Sequence, residues 1–100
     1  MLLLIAAASL AASAPACAVN RAAMLALPRH DFDQVEHHGW RLLTERGCHA
    51  AAADLIAAYR AVHPDQPNAS ILYWHEGQMH AFAGDSTAAR PLFVASHTVG

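Results

Sequence analysis

Residues 47–64 read Gly47-Cys48-His49-Ala50-Ala51-Ala52-Ala53-Asp54-Leu55-Ile56-Ala57-Ala58-Tyr59-Arg60-Ala61-Val62-His63-Pro64. From residue 50 to residue 62 nearly every position is a good helix former. Ala52, Leu55, Ile56, Tyr59 and Val62 fall on one face of a 3.6-residue period, with Asp54 and Arg60 outside it. Gly47 interrupts the chain before this helix, and His63-Pro64-Asp65-Gln66-Pro67-Asn68 ends it with two prolines and turn formers. Toward the N-terminus, Phe32, Val35, Gly39, Leu42 and Leu43 form a second apolar stripe that runs up to Gly47. Asp31 and Gln34 have the spacing of a capping box and predict where that helix begins. Toward the C-terminus, Asn68 or Ser70 can cap a third helix through Ile71, Leu72, Met79, Phe82 and Ala83, ending at Gly84. Asp85 and Ser86 can cap a fourth through Leu92, Phe93 and Ser96. Pro91 costs that helix a hydrogen bond outside the first turn, so a late start or a bend is expected. No stretch alternates with period two, so the expected class is all-α, built from antiparallel helix pairs.

The chain has 100 residues, 55% apolar and 14% charged, enough for one small domain. Its net charge of −2 offers no grip on phosphates, so nucleic acid is not an expected partner. All six basic residues are Arg. Without Lys there is no Schiff-base chemistry and no Gly-Lys-Ser/Thr phosphate loop, and no cofactor is expected. Much of the apolar fraction is Ala, which favours helix but buries little surface.

Residues 1–12 form an uncharged apolar run, followed by Ser13-Ala14-Pro15-Ala16-Cys17-Ala18. This is the form of a signal-peptide core with its cleavage zone, although no Lys or Arg precedes the apolar run. Residues 1–18 are therefore assigned to a signal peptide and residues 19–30 to a lead-in with room for a short helix. The mature chain is expected in the periplasm or secreted, with no stable membrane span after processing. An uncleaved anchor over residues 2–19 and a lipoprotein modified at Cys17 are the alternatives. Ala14-Pro15-Ala16 and Ala16-Cys17-Ala18 both satisfy the Ala-x-Ala pattern, so the cut falls before Cys17 or after Ala18. Only the earlier cut leaves two cysteines. The sequence leaves open whether Cys17 and Cys48 pair, and a lone buried thiol at Cys48 is the starting expectation.

Laid over itself at an offset of 37 residues, the sequence aligns Gly47 with Gly84, Ala52 with Ala89, Leu55 with Leu92 and Ile56 with Phe93. With Tyr73-Trp74-His75-Glu76-Gly77 in the preceding helix, this segment resembles the tetratricopeptide repeat, a helix-turn-helix unit of about 34 residues. The resemblance implies two helix pairs, residues 31–64 and 68–100, and a function in binding protein or peptide. It also implies packing roles for Gly77, Gly84, Ala89 and Phe93, and for Gly47, Ala52, Ile56 and Tyr59 in the earlier copy. Trp40 stands where that copy should carry a small residue, and the spacing between copies is three residues longer than the family's. Two copies leave an open apolar end, to be covered by more chain, by self-association or by residues 19–28.

Eight histidines raise a rival reading, a periplasmic metal-binding protein using His37, His38, His75 and His80, with His30 as a further ligand. His75 and His80 are five apart, about 140° around a regular helix, and only a π-turn would bring them together. Gly84-Asp85-Ser86 resembles the start of a Gly-Asp-Ser-Leu hydrolase block, but it follows a helical stretch and lacks the companion Asp-x-x-His, so Ser86 is read as a helix cap. Cys48-His49 aims no imidazole at a thiol by adjacency alone, and Asn68-Ala69-Ser70 has the form of a glycosylation acceptor. The expected binding surface is Arg41, Trp74, His75 and Gln78, with Trp40 and Tyr59 in the core and no catalytic step.

Overall fold

The computed structural model describes residues 17–28 and 32–99. The apolar run assigned to a signal peptide, His30, Asp31 of the expected capping box and Gly100 lie outside these residues. All regular structure among the described residues is helical: α1 (Arg21–Ala26), α2 (Phe32–Val35), a π-turn (Glu36–Trp40), α3 (Arg41–Glu45), α4 (His49–Val62), α5 (Ala69–Phe82) and α6 (Ser86–Val99). The stretches α2, π-turn and α3 run on without a break from residue 32 to residue 45.

The long helices recur at one spacing. α5 begins 37 residues after α2, and α6 begins 37 residues after α4. The turn between the two helices of each half has the same construction. Gly47 and Gly84 sit at φ 75° and 86°, the left-handed region that side chains disfavour. Cys48 N–H donates to Leu43 O at 2.8 Å and Gly47 N–H to Thr44 O at 3.0 Å, which is a Schellman end. Asp85 N–H donates to His80 O at 2.8 Å and Gly84 N–H to Ala81 O at 3.0 Å, closing the second turn identically.

The helix starts differ from the sequence expectations. Asp85 caps α6 by accepting from Ala88 N–H at 3.1 Å, which fixes the start at Ser86 despite Pro91. The carbonyl that Pro91 leaves without a donor belongs to Thr87, which is exposed, so water can satisfy it and the helix need not start late. Asn68 precedes α5 but makes no side-chain cap bond. Its own N–H donates to Gln66 Oε1 at 3.0 Å. Ser70 does not cap either; its hydroxyl donates to Ser96 O at 2.7 Å, tying the start of α5 to the end of α6.

The π-turn answers a phase problem. In a regular helix Val35 and Trp40 would stand about 140° apart, whereas a π-turn sets residues i and i+5 one above the other. Val35, Trp40 and Leu43 are all buried as a result, at 0%, 3% and 1% exposure. The wider turn also moves the close-approach position by one residue. The small side chain at this crossing is Gly39, where an added Cβ would lie 2.7 Å from Leu55 Cδ2, and not the position of Trp40. In the second half the equivalent is Gly77, where a Cβ would meet Phe93 at 2.9 Å and Ala89 O at 3.3 Å.

The core lies between residues 32–45, α4 and α5, around Tyr59, Ile56, Leu43, Leu72 and Val35, all fully buried. Burial of each such side chain contributes about 1.5–3 kcal/mol. α6 packs on α5 and buries Ala89 alone among its residues. The N-terminal segment lies against the first half, with Val19, Met24, Leu25 and Leu27 on the core. Asn20 caps α1 by accepting from Ala23 N–H at 3.2 Å. Leu27 O lies 2.8 Å from His63 Nε2, and Pro28 O accepts from the Tyr59 hydroxyl at 3.1 Å. Cys48 is not a lone thiol: it is disulfide-bonded to Cys17, with the two Cα atoms 5.5 Å apart.

Candidate functional site

Residues 32–45 and α5 leave a groove of about 490 Å³ between them, within the size range of small-molecule and side-chain sites. Each stretch leads into its partner helix through a tight glycine turn, and no residue of α4 or α6 lines the flank that the two share. Trp40 and Met79 form the floor, at 3% and 5% exposure. Thr44 holds the floor in place, its hydroxyl 2.7 Å from Trp40 O and 3.4 Å from Met79 Sδ. Phe82, 60% exposed, stands at one end with its ring 5.5 Å from that of His49. Glu36, Arg41, Glu45 and Gln78 supply the polar rim.

His75 lines the groove beside Trp40, with ring centroids 6.1 Å apart. Burial lowers its pKa from the ordinary histidine value, and the Glu36 carboxylate offsets part of that shift. The imidazole is therefore neutral at pH 7, one nitrogen a donor and the other an acceptor. Arg41 Nη1 lies 3.3 Å from His37 Nδ1, one turn back along the same rod.

Of the four residues expected on a binding surface, the structure brings Arg41, His75 and Gln78 together. Trp74 is exposed at 45% and meets His75 edge-on at 5.4 Å, but it stands beside the groove and does not line it. Sequence reasoning did not find Glu36, Thr44, Glu45, Met79 and Phe82 as lining residues. Their only signal was spacing along the helices: Thr44 and Glu45 stand three and four residues after Arg41, Met79 and Phe82 stand four after His75 and Gln78, and Glu36 stands five before Arg41, across the π-turn.

The packing residues are placed as follows. Ala52, Ile56 and Tyr59 are fully buried in α4, Ala89 is buried in α6, and Phe93 covers Gly77. Gly47 and Gly84 form the two turns.

The histidine-rich strings are dispersed. His37 and His38 are exposed neighbours with ring centroids 6.2 Å apart. His75 and His80 are carried by an uninterrupted α-helix, and the π-turn lies in the other rod. Among the described residues no three His, Cys, Asp or Glu side chains converge. Glu76, which lies between His75 and His80 in the sequence, is turned away to Arg60, which reaches Oε1 from Nη2 at 2.9 Å and from Nε at 3.2 Å. Arg60, expected on the outer face of its helix, also lies 4.2 Å over the Tyr73 ring and ties α4 to α5. Ser86 is exposed in the first turn of α6, with Asp85 as the capping side chain.

No helix of the described residues is long and apolar enough to cross a membrane. Comparison with protein-family models, with curated proteins and with solved structures gave no match.

Proposed function

We propose that the chain is an exported module of two tetratricopeptide-like helix pairs that binds a peptide segment of a partner protein and performs no catalysis. The observation that carries this reading is the groove between residues 32–45 and α5, which has an aromatic and thioether floor beneath a polar rim. Support for the repeat comes from the 37-residue spacing of the helices, the paired glycine turns and the small side chains at both crossings. Stacked helix pairs of this kind present their first helices to a ligand groove.

The lining also suggests the occupant. An apolar anchor side chain fits over Trp40 and Met79 beside Phe82. With His75 neutral, Glu36 and Glu45 outnumber Arg41, which favours a basic residue flanking that anchor. Selection of displayed peptides on the purified protein, followed by calorimetric titration, tests this. Phe82→Ala and Glu45→Lys change exposed side chains, so the fold tolerates them. Each is expected to weaken the selected peptides about tenfold, equivalent to about 1.4 kcal/mol. Enrichment of no peptide, or of peptides indifferent to both substitutions, overturns the reading.

A further inference from the structure

We infer that the chain is processed between Ala16 and Cys17, so that Cys17 opens the mature protein with its sulfur committed to Cys48. The inference rests on the proposed reading of the first sixteen residues as a cleaved leader, and it selects one of two sites that the Ala-x-Ala pattern leaves equivalent.

The selection comes from what each cut removes. Cleavage after Ala18 discards Cys17 and with it the cross-link to Cys48. It also discards the Ala18 carbonyl, which accepts from Arg46 Nη1 at 3.4 Å. Cys48 is 8% exposed and would keep a thiol deprived of its partner sulfur. Cleavage before Cys17 retains both contacts. It creates a new ammonium on a residue that is exposed, so the charge stays in water and no desolvation opposes it. The same cross-link argues against a lipid at Cys17, because a thioether to diacylglycerol and a disulfide to Cys48 require the same sulfur.

The chemistry is two ordinary steps. Hydrolysis of the Ala16–Cys17 peptide bond consumes one water and leaves a carboxylate on Ala16 and an amine on Cys17. The Cys17 and Cys48 thiols then exchange with a disulfide-carrying oxidase of the export compartment. They give up two protons and two electrons, and that carrier is reduced to its dithiol.

The test expresses the full 100-residue chain in an exporting bacterial host and measures the intact mass of the exported product, before and after reduction and thiol alkylation. The expected product has the mass of residues 17–100 less two hydrogens, and takes up two alkyl groups only after reduction. Ala18→Gln spoils the later site at an exposed position and is expected to leave the N-terminus at Cys17, whereas Ala14→Gln is expected to abolish that cut. A product of residues 19–100 with one alkylatable thiol overturns the site assignment while preserving the leader. A diacylglyceryl adduct on Cys17 overturns the cross-link in the mature protein. An unprocessed chain overturns the leader reading itself.

Discussion

Cys17→Ser and Cys48→Ser together remove the disulfide that ties the N-terminal segment to the helix pairs. The cross-linked residues are 31 apart in sequence. In the chain-entropy account, a closed loop of that length removes about 12 cal/mol/K from the denatured ensemble, or about 4 kcal/mol at 25 °C. In the native state the segment keeps its other anchors: Met24 and Leu27 on the core, Leu27 O near His63 and Pro28 O on Tyr59. The Arg21–Asp54 ion pair adds little, because both side chains are more than half exposed. The native structure is thus expected to survive while the denatured state gains freedom. Urea unfolding of the chain beginning at Cys17 should show a loss of about 4 kcal/mol in the double-serine variant. It should also show a steeper denaturant dependence, because the opened denatured chain exposes more surface. Reduction of the parent should reproduce both changes. A loss below about 1 kcal/mol with an unchanged slope would refute the reasoning, since it would mean that the segment is not held against the helices in the native state.

Gly47→Ala and Gly84→Ala meet no neighbouring atom within 4 Å, so each should cost only the left-handed backbone strain, about 1–2 kcal/mol, read from urea midpoints. Glu76→Gln should cost about 1.5–3 kcal/mol in the same assay, because it weakens two charge-assisted bonds from Arg60 at a carboxylate that is 7% exposed. His75 gives a pH dependence of known sign. Its folded pKa lies below the ordinary 6.5, so as pH falls through 6.5 the unfolded chain takes up a proton that the folded chain resists. Stability falls across that window until the folded value is passed, and urea midpoints at pH 7.5 and 5.5 should drop less in His75→Gln than in the parent.

The long helices could be read from the sequence because their ends carry strong local chemistry. Gly47 and Gly84 follow apolar periodic runs, and Asp85 stands where a capping carboxylate is useful. The π-turn could not be read. Glu36-His37-His38-Gly39-Trp40 has no propensity that favours a wide turn, which exists because Val35 and Trp40 must share a buried face. The same gap hid Gly39 as the close-approach residue behind the apparent misfit of Trp40. Part of the groove was legible, since Arg41, His75 and Gln78 are polar positions on helix flanks. Trp40, Met79 and Phe82 belong to it only through the way α5 meets residues 32–45 at Thr44–Met79 and Trp40–His75, which no single-helix pattern encodes. Arg60 was misplaced for a related reason: its partner Glu76 is on another helix, and its long side chain reaches inward from the helix flank.

Amide hydrogen exchange with and without a selected peptide is the most direct measurement of whether this groove is the binding surface. The account predicts added protection within residues 36–45 and 75–82, with α6 unchanged. Protection confined to α6 or to the N-terminal segment, or no change under saturating peptide, would contradict it.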